Sequence, residues 1–151
     1  MSGIADTLNN LFTKSVTDIR VLSDMNNEVI QTEPNLRYYL CNINNTTVKL
    51  EKCKQLRLLN CKNLKIVSSK LPIMGVHMLR TDNTKMDILH NNTKDSGSGY
   101  ISSDNCNQAK IILQQKCLID VNQCVNIVVN DINISDEYVD STWEMTHEND
   151  L

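Results

Sequence analysis

Residues 56–82 read LRLLNCKNLKIVSSKLPIMGVHMLRTD. Apolar residues in this stretch recur in pairs separated by a single residue: Leu56 and Leu58, Leu64 and Ile66, Val76 and Met78. A period of two residues is typical of a strand with one buried face. Strands that recur every eight to twelve residues or so indicate an all-β sandwich, barrel or solenoid. A solenoid more often offers a binding surface than a catalytic pocket, so this pattern favours a protein that is not an enzyme.

The same pattern extends in both directions along the chain. Candidate strands lie near Ile19, Val29, Tyr38 and Val48, and again at Met86, Tyr100, Ala109, Leu118 and Val125. The polar, Gly/Ser-rich loop at residues 91–99 interrupts the rhythm. Two strands and two corners give a coil of roughly 18–20 residues, which is within the range of known solenoid repeats. The sequence therefore predicts a right-handed parallel β-helix of about five or six coils over residues 18–131.

The composition fits a thin aliphatic interior. Hydrophobic residues make up 40 % of the 151 residues and aromatic residues only 4 %. Glycine is scarce, with four residues, so other residues must form the corners. Asparagine tolerates the left-handed conformation and hydrogen-bonds to its own backbone. We therefore expect corners at Asn44, Asn45, Asn60, Asn63, Asn83, Asn91, Asn92, Asn105, Asn107 and Asn126.

Both ends of the chain differ from the predicted coils. Residues 1–17 place Ile4, Leu8, Leu11 and Phe12 at helical spacing, which indicates either a helix that caps the solenoid or a tail. Residues 132–151 form an acidic closing segment that contains Tyr138 and the single Trp143. Tryptophan buries a large area at low entropic cost, so it suits an anchor within the fold or a contact with another chain.

The six cysteines predict neither a metal site nor a disulfide framework. No two of them are separated by the short spacing of a zinc site, and the first 15 residues lack the apolar core of a signal peptide. We expect Cys61 and Cys106, each preceded by Asn, to be small core residues at coil corners. No apolar run is long enough to span a membrane. The sequence thus predicts a cytoplasmic protein with no cofactor, no metal and no membrane partner.

Charge is distributed unevenly. The formal net charge is −3, yet residues 49–70 are rich in lysine, whereas the chain after Lys116 has acidic residues and no Lys or Arg. A basic middle favours an acidic protein partner. Nucleic acid is disfavoured, because the net charge is negative and no aromatic residues alternate with the lysines as stacking platforms would require.

Three stretches resemble the C-terminal β-helical domain of cyclase-associated protein, whose fold also includes the tubulin-binding cofactor C group. The first is YLC at residues 39–41 followed by NTTVKL at residues 45–50. The second is residues 56–82, with Asn60-Cys61-Lys62, the corner Lys70-Leu71-Pro72 and the corner Thr81-Asp82. The third is DEYVDSTW at residues 136–143. The resemblance covers roughly residues 18–143.

This resemblance implies that the protein binds monomeric actin, preferentially its ADP form, and promotes nucleotide exchange and monomer recycling. It implies an association with the cytoskeleton, and an exposed solenoid edge makes a homodimer a further candidate assembly. A rigid face would bind one conformation of actin better than another and shift its nucleotide equilibrium. The candidate actin-binding residues are Lys62, Lys65, Lys70, Tyr138 and Trp143.

Two alternatives belong to other classes. The stretch Cys53-Lys54-Gln55-Leu56-Arg57 is similar to the site where tubulin cofactor C carries an arginine finger, so Arg57 is a candidate finger of a GTPase-activating protein. A sugar-cleaving β-helix enzyme would need paired carboxylates on one face. Asp82 and Asp87 have no evident partner, and His77 and His90 have no evident orienting acid, which disfavours that enzyme class.

Overall fold

The computed structural model describes residues 18–89, 99–114 and 116–135, together with the backbone of residues 141–145. In these residues the chain forms strands and no helix. The strands are β1 (Ile19–Ser23), β2 (Val29–Gln31), β3 (Arg37–Cys41), β4 (Asn44–Leu50), β5 (Gln55–Leu59), β6 (Lys62–Ser68), β7 (Val76–Leu79), β8 (Asp82–Ile88), β9 (Gly99–Asp104), β10 (Asn107–Leu113), β11 (Cys117–Asn122), β12 (Val125–Val129), β13 (Ile132–Asn133) and β14 (Ser141–Met145).

Two parallel sheets face each other across one interior. Sheet A has the order β1-β3-β5-β7-β9-β11-β14, and sheet B has the order β13-β12-β10-β8-β6-β4-β2. The chain alternates between the sheets, so each coil contributes one strand to each of them. This arrangement is a β-solenoid of about six coils, as the two-residue period predicts.

The coils have unequal lengths. Stacked positions are 18 residues apart at Asn45 and Asn63, 20 apart at Asn63 and Asn83, and 25 apart at Asp82 and Asn107. The longest interval contains residues 91–99, where the sequence predicts a loop, and all of these but Gly99 lie outside the described residues. Strand pairing remains parallel on both sides of it, since Val76 pairs with Ile101 and Asp82 pairs with Asn107. The extra residues are therefore accommodated between β8 and β9 without a break in either sheet.

Corners from sheet A to sheet B use residues with positive φ. One set is Asp24, Asn42, Asn60, Arg80, Asn105 and Gln123, and the next is Asn27, Asn45, Asn63, Asn83, Gln108 and Asn126. Asparagine dominates both sets because its short polar side chain tolerates this conformation. The prediction is confirmed at Asn60 and Asn105, which lie between strands. The left-handed conformation is also found at Asn45, Asn63, Asn83 and Asn126, although each of these is the second residue of a strand in sheet B. The prediction is wrong for Asn44 and Asn107, which begin β4 and β10, where they pair in the ladder with Lys62 and Asp82. Asn91 and Asn92 lie outside the described residues.

The interior is aliphatic and continuous. The predicted apolar pairs all point into it, with Leu56, Ile66 and Val76 each 0 % exposed. In sheet A, Leu40, Leu58 and Met78 occupy successive coils at one position of the ladder. In sheet B, Val48, Ile66, Met86, Ile111 and Val129 do the same. Each coil thus buries its apolar face only against its neighbours, as solenoids require.

At the C-terminal end of the solenoid, the last strand of each sheet pairs antiparallel with its neighbour. Val129 of β12 pairs with Ile132 of β13, and Ile119 of β11 pairs with Trp143 of β14, both antiparallel. The closing segment predicted at residues 132–151 thus adds one strand to each sheet. The predicted N-terminal cap or tail at residues 1–17 lies outside the described residues.

Candidate functional site

The outer face of sheet B carries a column of three lysines in register. Lys65 of β6 pairs with Lys85 of β8, which pairs with Lys110 of β10. Neighbouring strands are about 4.8 Å apart, so the three residues fall within about 10 Å along the solenoid axis. All three side chains are exposed, and within the described part of the chain none forms an ion pair with a carboxylate. We call these residues the lysine column.

A ladder of side-chain amides lies beside the lysine column. Asn45 Nδ2 donates to Asn26 Oδ1 at 3.1 Å, Asn63 Nδ2 to Asn45 Oδ1 at 2.9 Å, and Asn83 Nδ2 to Asn63 Oδ1 at 2.6 Å. Gln108 occupies the equivalent position in the next coil. We call Asn45, Asn63, Asn83 and Gln108 the amide column. It exists because the second residue of each of these sheet B strands has the same left-handed backbone and therefore projects its side chain in the same place.

The two columns line a shallow trough. One depression, of about 340 Å³, includes Asn63, Lys65, Asn83 and Lys85 in its lining. A second, of about 470 Å³, includes Asn83, Lys85, Gln108 and Lys110. Because Asn83 and Lys85 line both depressions, the trough runs continuously along the axis across three coils.

Acidic side chains lie at the margins of this trough. Asp131 lines the depression beyond Lys110. Asp87 follows Lys85 by two residues on β8, and its Oδ1 atom is buried without a hydrogen-bond partner. Neither carboxylate forms an ion pair with the lysine column. The positive charge of the column is therefore available to a ligand, while Asp131 disfavours an anion at that end.

The outer face of sheet A has a different character, because its polar groups bond to one another. The Arg57 guanidinium lies 5.1 Å from the centre of the Tyr39 ring. The Tyr100 hydroxyl donates to Asp120 Oδ2 at 2.6 Å, and this hydrogen bond, with a smaller effect of burial, raises the pKa of Tyr100 to about 12. At the N-terminal end, Asp18 accepts hydrogen bonds from Arg37 at 2.7 Å and Lys54 at 3.4 Å, and the Arg37 bond lowers the pKa of Asp18.

His77 is also engaged on this face. Its Nε2 atom lies 2.9 Å from the Met74 carbonyl oxygen, and its Nδ1 atom lies 2.9 Å from Ser102 Oγ. A carbonyl oxygen only accepts, so Nε2 carries the proton and, in the neutral ring, Nδ1 accepts from the Ser102 hydroxyl. Both ring nitrogens are thus used to join the loop before β7 to strand β9. An open depression of about 400 Å³ beside them is largely apolar, with Leu59 and Leu79 in its lining.

Five of the six cysteines belong to the core, and the sixth, Cys41, is half-buried. Cys61 and Cys106 are 2 % and 3 % exposed at corners, which agrees with the sequence prediction. Burial raises the pKa of the Cys53 thiol to about 11 and that of Cys117 to about 12. The backbone N–H of Cys106 donates to the Cys124 Sγ atom in the adjacent coil at 3.3 Å. The neighbouring Cys124 thiol and burial raise the pKa of the Cys106 thiol, and the same pairing lowers the pKa of the Cys124 thiol. Thiols whose pKa is raised in this way, such as those of Cys53, Cys106 and Cys117, are poor nucleophiles and poor metal ligands at neutral pH. The described residues also contain no group of three His, Cys, Asp or Glu that could hold a metal ion.

The structure separates the residues that the sequence proposed for binding actin. Lys62 and Lys65 are exposed on β6 of sheet B, and Lys70 is exposed in the loop that follows. Trp143 lies on β14, at the far end of sheet A, and only its backbone is described. Tyr138 lies outside the described residues. Arg57, the candidate arginine finger, is exposed on sheet A, away from the lysine column.

Sequence reasoning missed Lys85 and Lys110. They lie outside the lysine-rich middle of the chain, and their separations from Lys65 and from each other, 20 and 25 residues, look unrelated. These separations equal the local coil lengths. Aligning the sequence by its corner asparagines and its apolar pairs would have shown that all three lysines hold one position of the repeat.

Comparisons with known proteins leave the family open. No protein-family model matches the chain, and a search of curated proteins finds no significant match. In the described part of the chain there is no helix that could cross a membrane.

Proposed function

We propose that this protein binds monomeric actin in the manner of the C-terminal domain of cyclase-associated protein, with the outer face of sheet B as the docking surface. In this proposal it prefers ADP-actin, promotes nucleotide exchange and recycles monomers, and it makes or breaks no bond itself. Its place of action is the cytoplasm, in association with the cytoskeleton. The β-solenoid fold and the three resembling stretches support the assignment, and the lysine column is the observation that carries it.

The lysine column supports an acidic protein partner for two reasons. Like charges directly opposite each other across a ladder destabilise a sheet, and no carboxylate in the described part of the chain forms an ion pair with these three. The ladder also holds the side chains at a fixed spacing, so little backbone ordering is needed when a partner binds. Complementary charge would raise the association rate and fix the register of the complex. Lys62 is also exposed, at the start of β6, but its ladder partner there is Asp82, so it adds less positive charge than the lysine column.

A binding titration with fluorescently labelled monomeric actin tests this proposal. We expect ADP-actin to bind more tightly than ATP-actin. The double variant Lys65→Glu/Lys85→Glu should weaken binding by at least about tenfold, because like charges facing each other at an interface cost several kcal/mol. The control Lys52→Glu/Lys116→Glu changes the net charge equally but lies at the corners that lead from sheet B to sheet A.

Two results would count against the proposal in different ways. If the unmodified protein forms no complex with actin at tens of micromolar, actin is not the partner. If actin binds but the test and control variants weaken it equally, the docking surface lies elsewhere. Far-UV circular dichroism of each variant establishes that the β-structure is retained.

Arg57 supports one alternative, a GTPase-activating protein of the tubulin cofactor C type. Its guanidinium is exposed on a rigid strand, which suits an arginine finger, although the finger would have to leave the Tyr39 ring to reach a phosphate. Phosphate release from small Arf-like GTPases measures this activity. Stimulation that is lost in Arg57→Ala would favour the alternative, and no stimulation by the unmodified protein would exclude it.

A further inference from the structure

We propose that the lysine column and the amide column together form a binding site for short linear chains of phosphate, of which tripolyphosphate is the smallest probe. The site is the trough on sheet B from Asn63 to Lys110. This inference goes beyond actin binding and does not require it, since the ligand is a small free polyanion. Lys85 occupies the centre of the site, because it lines both depressions of the trough.

The charge pattern is the first argument. Three exposed ammonium groups follow one another on successive strands, within about 10 Å along the axis. A phosphate chain carries at least one negative charge on every phosphorus atom, so a short chain presents several charges over the same distance. Lysine binds phosphate as a point charge on a flexible stem, and three such stems can adapt to a linear ligand.

The amide column supplies the second argument. Asn63 and Asn83 each donate one N–H to the amide in the preceding coil, at 2.9 and 2.6 Å. A primary amide has two N–H groups, so each residue retains one that no described hydrogen bond uses. Gln108 continues the column and forms no side-chain hydrogen bond in the described part of the chain. These donors lie in the same trough as the lysines and would bind non-bridging phosphate oxygens.

Other polyanions fit the trough less well. An extended acidic peptide presents carboxylates of one side about 6.6 Å apart, which is wider than the spacing between coils. Single-stranded nucleic acid uses aromatic side chains as stacking platforms, and none of the described residues that line the two depressions is aromatic. A single orthophosphate engages one or two of the three lysines only. The arrangement therefore favours a linear chain of about three or more phosphates.

Isothermal titration calorimetry at low ionic strength tests the proposal with orthophosphate, pyrophosphate, tripolyphosphate and a poly-glutamate peptide. We expect the affinity to rise with each added phosphate and to fall as salt is added. Lys85→Gln/Lys110→Gln should weaken tripolyphosphate binding by about tenfold or more, since it removes two of the three charge-assisted contacts. The control Lys52→Gln/Lys116→Gln removes the same charge elsewhere and should have little effect.

A second variant tests whether the negative charge of Asp131 weakens binding at one end of the site. Asp131→Asn removes the carboxylate at its C-terminal margin and should strengthen tripolyphosphate binding by a few-fold. Equal affinity for orthophosphate and tripolyphosphate, tighter binding of poly-glutamate, or equal losses in the test and control variants would each overturn the proposal. Because actin is absent from these titrations, a failure here is independent of the actin proposal. If both ligands bind, tripolyphosphate should compete with actin, since both proposals use the lysine column.

Discussion

The two outer faces of this solenoid are formed by the same coils, yet they differ in how their polar and charged side chains are paired. On sheet A, Arg57 lies over Tyr39, and Tyr100 donates to Asp120. On sheet B, Lys65, Lys85 and Lys110 face one another, and no carboxylate among the described residues forms an ion pair with them. Polar groups that are satisfied within the chain contribute to stability, whereas unneutralised like charges oppose it. The comparison teaches that sheet A is the face that stabilises the fold and sheet B the face that is available to a ligand.

The largest expected effect is a loss of stability in the hydrophobic core, which lies between the two sheets and is shared by them. Leu58→Ala, on the inner side of sheet A, and Ile66→Ala, on the inner side of sheet B, should each lower the free energy of unfolding by about 2–5 kcal/mol. Both side chains are almost completely buried, at 2 % and 0 % exposed. Urea unfolding followed by circular dichroism measures the change. A large loss for one variant and none for the other would mean that the sheets do not share one core.

A smaller effect is expected at the Tyr100–Asp120 hydrogen bond on sheet A. Tyr100→Phe should lower stability at neutral pH by about 1 kcal/mol, because the carboxylate loses its donor in a half-exposed setting. Folding raises the pKa of Tyr100 to about 12, from about 10 in an unfolded chain. The folded state therefore holds this proton more tightly, and the contribution is complete below pH 10 and is lost as the pH rises towards 12.

Unfolding measurements from pH 8 to pH 12 on the unmodified protein and on Tyr100→Phe isolate this contribution. The difference in stability between the two should shrink as the pH rises through that window. Other alkaline titrations occur in both proteins and cancel in the difference. A difference that stays constant to pH 12 would show that the hydroxyl of Tyr100 does not stabilise the fold through Asp120.

The contact between Arg57 and Tyr39 should contribute less to stability than the Tyr100–Asp120 hydrogen bond. A double-mutant cycle with Arg57→Ala and Tyr39→Leu should give a coupling free energy of about 0.5–1 kcal/mol, the usual value for a cation–ring contact at the protein surface. Thermal or urea unfolding provides the four stabilities. Arg57→Lys serves as a control that keeps the charge but loses the planar guanidinium. If the two single substitutions change stability additively, the Arg57–Tyr39 contact does not stabilise the fold. The charged groups of sheet A would then be no better paired than those of sheet B, which would weaken the comparison.

The smallest effect concerns sheet B, where the substitution should raise stability and not lower it. Lys85→Gln removes the central charge of the lysine column, so it should raise the free energy of unfolding by about 0.3 kcal/mol at low salt. The gain should disappear in 1 M salt, where surface charges are screened. Lys116→Gln, which lies outside the column, should not show this gain. A loss of stability in Lys85→Gln would mean that the lysine is satisfied within the fold, as the charged groups of sheet A are.

Much of the fold follows from the sequence because its determinants are local. Two-residue alternation at pairs such as Leu64 and Ile66 places a strand without knowledge of the rest of the chain. Asparagine at a corner, as at Asn60, reflects a backbone conformation that most residues avoid. The same conformation at Arg80 or Gln123 could not be predicted, since those residues have no preference for it and adopt it because the neighbouring coils require it.

The candidate site was harder to predict because it depends on register. Lys65 attracts attention in the sequence through its lysine-rich surroundings, whereas Lys85 and Lys110 are isolated. Their alignment follows only once the coil lengths of 20 and 25 residues are known. The longer interval includes residues 90–98, whose contribution to the coil cannot be derived from periodicity. The sequence also says nothing of how sheet A satisfies its polar groups, since the partners Tyr100 and Asp120 are 20 residues apart.

The unequal coil between β8 and β9 has a practical consequence. One turn of this molecule spans 25 residues where another spans 18, and strand pairing resumes on its far side unchanged. The number of residues in this coil can therefore differ from that in other coils without a change in strand pairing. An epitope tag, a fluorophore-binding peptide or a second domain could be grafted there while the charged trough keeps its spacing, which makes the junction a natural attachment point for a biosensor.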